Sequence, residues 1–95
     1  MSPTIDDIRN KVTNVMRRRG VIRASIFGSV ARGEATRASD VDFLVEFETG
    51  RSLIDLAGLR LDLTEALERK VDVATPNSLH PRLRDGILKE LVPIL

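Results

Sequence analysis

Asp40 and Asp42 stand one residue apart at the head of an otherwise apolar run, DVDFLVEF, residues 40–47. The run is short, rich in β-branched and aromatic side chains and bounded by turn residues, so it reads as a strand. Side chains alternate along a strand, which sets both carboxylates on one face with Cα atoms roughly 7 Å apart. Two like charges side by side in a strand are costly unless something positive neutralises them. What that is must be sought in the rest of the chain.

Around this strand the sequence divides into short elements. Thr4 and Asp7 have the spacing of a capping box with the shorter acid, and Ile5, Ile8, Val12, Val15 and Met16 recur at helical spacing behind it. A first helix is expected over residues 4–18, with Gly20 placed to end it. VIRASIF, residues 21–27, reads as a strand with Ile22, Ala24 and Ile26 on its apolar face and Arg23 and Ser25 on the other. GSVARGEATRAS follows as a turn with room for one helical turn. Beyond the aspartates, Ser52 and Asp55 make another box-like start. Leu53, Leu56, Leu59, Leu63 and Leu67, with Ile54, Ala57 and Ala66, give that helix a wide apolar face. KVDVA, residues 70–74, reads as a third strand. Pro81 suits the first turn of a last helix, in which Leu83, Ile87, Leu88 and Leu91 are expected to be buried. Gly86 weakens that helix by about 1 kcal/mol relative to Ala. The expected order is α-β-(short α)-β-α-β-α, an α/β (α+β) chain with a three-stranded sheet and helices packed on it.

Composition narrows the chemistry. Ninety-five residues suit one domain, 1–95, with a thin core. No cysteine is present, which removes disulfides and thiolate metal sites, and the single histidine, His80, removes zinc sites built on several imidazoles. His80 beside Pro81 reads as a helix-start residue. A metal here would be held by carboxylates, which favour Mg²⁺ or Mn²⁺. A net charge of +1 and three aromatic residues argue against nucleic acid as the primary partner. The basic run Arg17–Arg19 reads as a complement to the first helix's C-terminal dipole, with a phosphate-contacting patch as the alternative. No apolar run is long enough to span a membrane, and the acidic start lacks the apolar stretch of a signal peptide, so a cytoplasmic protein is expected.

A third aspartate extends the pair. Asp72 lies between Val71 and Val73, and if its strand pairs beside the second, Asp72 reaches the same face. Asp40, Asp42 and Asp72 would then make a hard-cation site. Gly28-Ser29 sits where the first strand ends: Gly28 allows close approach to the backbone, and Ser29 offers a hydroxyl and the amides that follow it as a seat for phosphate. Arg32, next to Gly33, is close enough to support a phosphate or an aspartate. Each piece has an ordinary reading: Asp-x-Asp as a solvated edge, Gly-Ser as a plain turn, and Asp72 and Arg32 as salt-bridge residues. Jointly they describe a nucleoside triphosphate site.

GSVARGEATRASDVDFLVEF carries Gly-Ser, ten residues and Asp-x-Asp, and so resembles the nucleotidyltransferase superfamily that includes DNA polymerase beta. With the small size and the later KVDVATP, it is similar to the minimal nucleotidyltransferase (MNT, MntA-like) branch over nearly the whole chain. The resemblance implies the nucleotidyltransferase fold, with a small mixed sheet flanked by helices. It implies that Gly28 and Ser29 hold the triphosphate and that Asp40 and Asp42 ligate Mg²⁺. Asp72 would complete the metal site and help remove the proton from the attacking hydroxyl. It also implies an antitoxin that transfers AMP from ATP to a tyrosine on a HEPN-type ribonuclease toxin.

Larger relatives carry a further helical domain, for which no room is expected here. The acceptor would then bring its own positioning surface, as a protein partner or within a homodimer. Three functions stay open: a nucleotidyltransferase acting on a protein, an antitoxin that neutralises by contact alone, and a nucleotidyltransferase acting on a small molecule or an RNA end. The apolar ending LVPIL is read as core, with an exposed interface strip as the alternative.

Overall fold

The computed structural model describes residues 4–36 and 39–95; residues 1–3, and Arg37 and Ala38 of the expected turn, lie outside the described residues. Helix α1 (Ile5–Arg18) opens on Thr4, whose hydroxyl accepts from the Asp7 amide at 3.1 Å, and buries Ile8, Val12 and Met16. Arg17 and Arg18 occupy its last turn, where they complement the carbonyl end. Arg19 caps it and donates from Nε to Asp62 at 2.7 Å.

Four strands, β1 (Val21–Phe27), β2 (Val41–Phe47), β3 (Val71–Ala74) and β4 (Val92–Pro93), lie side by side in the order β3-β2-β1-β4. β1 runs antiparallel to both β2 and β4, whereas β2 and β3 are parallel. A parallel pair needs a crossover, here made through helix α2 (Leu53–Leu67). Ser52 opens α2 with its hydroxyl accepting from the Ile54 amide at 3.2 Å, while Asp55 accepts from the Ser52 amide at 2.9 Å. Ala24, Ile26, Val41, Phe43, Val45 and Val71 meet α1 and α2 across the main core. The opposite side chains of β1–β3, among them Arg23, Ser25, Asp42, Glu46 and Asp72, line a polar face. No described helix is long and apolar enough to cross a membrane.

Four sequence expectations change. In β1, Val21 pairs with Phe47 but Arg23 already pairs with Glu46, so Ile22 is an extra residue in a bulge. The bulge turns Val21 into the core and leaves Ile22 exposed. In α2 the apolar face splits: Leu59, Leu63 and Leu67 are buried, whereas Leu53 and Ile54 are 80% and 81% exposed. A helix lying on a sheet buries only one stripe; Ile54 lies on the far side of α2 from it, and Leu53 is the first residue of the helix, at its open end. In helix α3 (Pro81–Lys89) no residue is buried, and Leu83 and Leu88 are exposed. Leu88 and Leu91 line a shallow depression with Arg23, Ser25, Leu44, Glu46 and Pro76, which leaves Leu88 half exposed.

The last change is a fourth strand, absent from the three-strand expectation. β4 is two residues long, too short to show alternation, and Pro93 is tolerated there because the strand is an edge. The Ile94 and Leu95 amides both donate to the Ala24 carbonyl, at 2.9 Å and 3.2 Å, and Ile94 joins the core. The core reading of LVPIL therefore holds. Ile94→Ala should cost about 2–4 kcal/mol, measured by urea unfolding. A loss below about 0.5 kcal/mol would mean that this end contributes little to the core.

Candidate active site

The segment after β1 winds through one turn, the single turn for which the sequence left room, over residues 28–33. The Arg32 amide closes it on the Gly28 carbonyl at 3.1 Å. Gly33, at φ +74°, ends it in a Schellman pattern: its amide donates to the Val30 carbonyl at 3.2 Å and the Glu34 amide to that of Ser29 at 2.9 Å. Val30 is buried and anchors the turn in the core. The amides of Ser29, Val30 and Ala31 precede the first donor that closes the turn, so they stand outside its own bonding.

The strand ladder brings this turn onto the acids. Phe27 pairs with Asp42 across β1 and β2, which sets Gly28 against the Asp42 carboxylate. A Cβ on Gly28 would collide with Asp42 Oδ2, and φ at Gly28 is +77°. Asp42 in turn stands opposite Asp72 in the parallel β2–β3 register, so the two share the polar face. Asp40, two residues earlier, projects to that side as well.

Cations attend the outer two acids. Lys70 Nζ lies 3.6 Å from Asp40 Oδ2, and Arg60 Nη2 lies 3.9 Å from Asp72 Oδ1. Both pairs are long and substantially exposed, so they contribute little to stability. Asp42 has no ion pair among the described residues. Burial raises its carboxyl above the ordinary aspartate range, and the charges of Asp72 and Asp40 add to that, while Arg32 acts in the opposite sense. Among the described residues no three acidic or imidazole side chains converge closely enough to surround an ion as they stand. The donor set is nonetheless all oxygen and suits a hard cation.

Arg32 is held from two sides. Its Nε donates to Glu34 at 3.1 Å, and its Nη1 to Glu90 Oε2 at 3.1 Å. Glu90 Oε1 also accepts from the Gly28 amide at 3.1 Å. Glu90, Arg60 and Lys70 are site neighbours that the sequence reading missed. Glu90, beside Lys89 in LKELVPIL, gave no local signal; Lys70 is merely the residue before a strand, and Arg60 gave no signal. His80 serves as the N-cap of α3, its Nδ1 accepting from the Arg82 amide at 3.1 Å.

Comparison with known proteins places this geometry. The family model described as nucleotidyltransferase domain matches residues 9–94. A Methanocaldococcus jannaschii protein, provisionally named a protein adenylyltransferase, is 50% identical over 91 residues, covering 96% of this chain and 98% of the relative. The protein adenylyltransferase MntA of Thermococcus cleftensis is 36% identical over 93 residues, 94% of each chain. Among solved structures, one provisionally described as a minimal nucleotidyltransferase superposes with a TM-score of 0.78 at 47% identity, covering 90% of this chain and 87% of that one. A tri-AMPylated HEPN toxin of Shewanella oneidensis in complex with its MNT antitoxin matches with a TM-score of 0.70 at 20% identity, over 93% of this chain and 69% of that one; at this identity the likeness shows the fold alone.

Proposed function

The chain belongs to the nucleotidyltransferase domain family and is an enzyme of that class, and from that premise we propose that it transfers AMP from ATP to a hydroxyl on a protein partner. The observation that carries this reading is the pairing of Asp42 with Asp72 on one face, with the Gly28–Ser29 turn set against Asp42. The names of the relatives, protein adenylyltransferases, favour AMP and a protein acceptor.

The residues divide the work as follows. Ser29 and the first amides of the turn seat the triphosphate, and the Arg32 guanidinium adds charge-assisted bonds to it. Gly33 closes that turn. Asp40, Asp42 and Asp72 would hold Mg²⁺ or Mn²⁺, which when bound neutralises the acids and the charge that builds on the phosphate oxygens. The loose pairs to Lys70 and Arg60 leave Asp40 and Asp72 free to exchange partners. The acceptor oxygen attacks the α-phosphorus in line, a new P–O bond forms, and the bond to the bridging oxygen breaks with its electron pair leaving on pyrophosphate. Asp72, the more exposed acid, accepts the hydroxyl proton.

The acceptor on this reading is a HEPN-type toxin and the chain its antitoxin, by analogy with the Shewanella complex. Exposed Leu83 on α3, which lines a depression with Gly28 and Glu90, is consistent with a protein surface as the other half of the site. Incubation with α-labelled ATP, Mg²⁺ and the product of the neighbouring gene is expected to label that protein. Co-purification without label would replace this reading with neutralisation by contact.

A further inference from the structure

We propose that Glu90 is a positioning residue for the phosphate site, its one carboxylate fixing the Gly28 amide and the Arg32 guanidinium from the far end of the chain. The inference rests on the nucleotide reading above. Glu90 is 62 residues from Gly28 and 58 from Arg32 in sequence, so only the fold brings them together. Its base is firm: Glu90 caps α3 and stands two residues before β4, whose Val92 and Pro93 pair with Ile26 and Ser25 of β1.

Arg32 needs such a holder. Its side chain is on a surface turn, and a free arginine loses rotamer freedom when a ligand orders it. Glu34 also pairs with Arg32, but its side chain is 65% exposed and two residues away on the same turn. Glu90 is 26% exposed and comes from another element, so its bond is better shielded from water. Together the two acids take Nε and Nη1, and among the described residues Nη2 has no partner and can meet an incoming anion. The recorded partners of Glu90 are the Gly28 amide and Arg32, not the Ser29 hydroxyl or the amides beyond it. A carboxylate placed so braces the seat without filling it.

The test is equilibrium titration of a ribose-labelled fluorescent ATP analogue, with Mg²⁺, into the full chain and its variants, with melting curves recorded in parallel. Glu90→Ala should weaken binding about tenfold while the protein remains folded. Glu90→Gln should recover part of the loss, because its carbonyl still accepts from the Gly28 amide. Arg32→Ala combined with Glu90→Ala should lose less than the sum of the two single losses, because part of what Glu90 does passes through Arg32 and the rest through the Gly28 amide. Hydrogen exchange at the Gly28 amide, protected in the wild type and faster in Glu90→Ala, reads the contact without nucleotide. Wild type that binds while Glu90→Ala binds equally well or more tightly overturns the positioning role alone; tighter binding would mean that the carboxylate competes with phosphate. Additive losses in the double variant, or an unprotected Gly28 amide in the wild type, overturn it as well. Wild type that binds no analogue overturns the nucleotide reading and the positioning role with it.

Discussion

Asp42→Asn is expected to lower AMP transfer by on the order of a thousandfold while making the nucleotide-free protein more stable at neutral pH. The activity loss follows from position. Asp42 stands between Gly28, which touches it, and Asp72, which pairs with it, so no other acid can take its place. The stability gain follows from electrostatics. Burial, with Asp72 and Asp40 nearby, holds the Asp42 carboxyl above its unfolded value, so the native chain binds that proton more tightly than the unfolded chain does. Stability must then fall as pH rises from the ordinary aspartate value through the raised one, and it stays lower at neutral pH. Asparagine does not ionise. Its advantage should be present at pH 7 and vanish below about pH 3.5, where both states of the wild type are protonated. Thermal melts of the two proteins across that range measure it. An Asp42→Asn protein that is unfolded, or less stable at pH 7, would reveal a structural partner of Asp42 that the geometry does not contain.

The site was more legible in the sequence than the surfaces around it. Asp-x-Asp in an apolar run fixes a common face, and a third aspartate in the next β-branched run fixes a partner once the strands are adjacent; the register sets Asp42 opposite Asp72. These are short-range consequences of period-two geometry. The failures have other causes. One extra residue in β1 exchanged Ile22 for Val21, and no local signal marks a bulge that the partner strand defines. Periodicity located α2 and α3 but could not say how much of each apolar face would find a receiving surface. α3 lies partly against the Arg23–Glu46 side of the sheet and leaves Leu83 and Leu88 exposed. Glu90 was invisible for a different reason: its partners lie some sixty residues away, and only the pairing of β4 with β1 brings it to them.

Gly28→Ala should reduce transfer by about a hundredfold or more, against a modest loss of stability. Two costs combine at this position. An L-residue at φ +77° is strained by roughly 1–2 kcal/mol. The added methyl also meets the Asp42 carboxylate, and since Oδ2 is the end of a side chain it can rotate away at little energetic expense. That rotation is the damaging step on the proposed mechanism, because it displaces the acid assigned to the reaction, and misplacement by about 1 Å costs on the order of a hundredfold in rate. Gly33 provides the comparison. Its φ is +74°, but among the described residues nothing lies within 4 Å of an added Cβ. Gly33→Ala should therefore carry a similar strain, read as a similar drop in unfolding free energy, and lose less than about tenfold in transfer. Equal losses of transfer in the two variants would mean that backbone strain in the turn, rather than the space between Gly28 and Asp42, governs the reaction. A large difference would assign to Gly28 a steric role: it exists as glycine so that Asp42 can stand where it does.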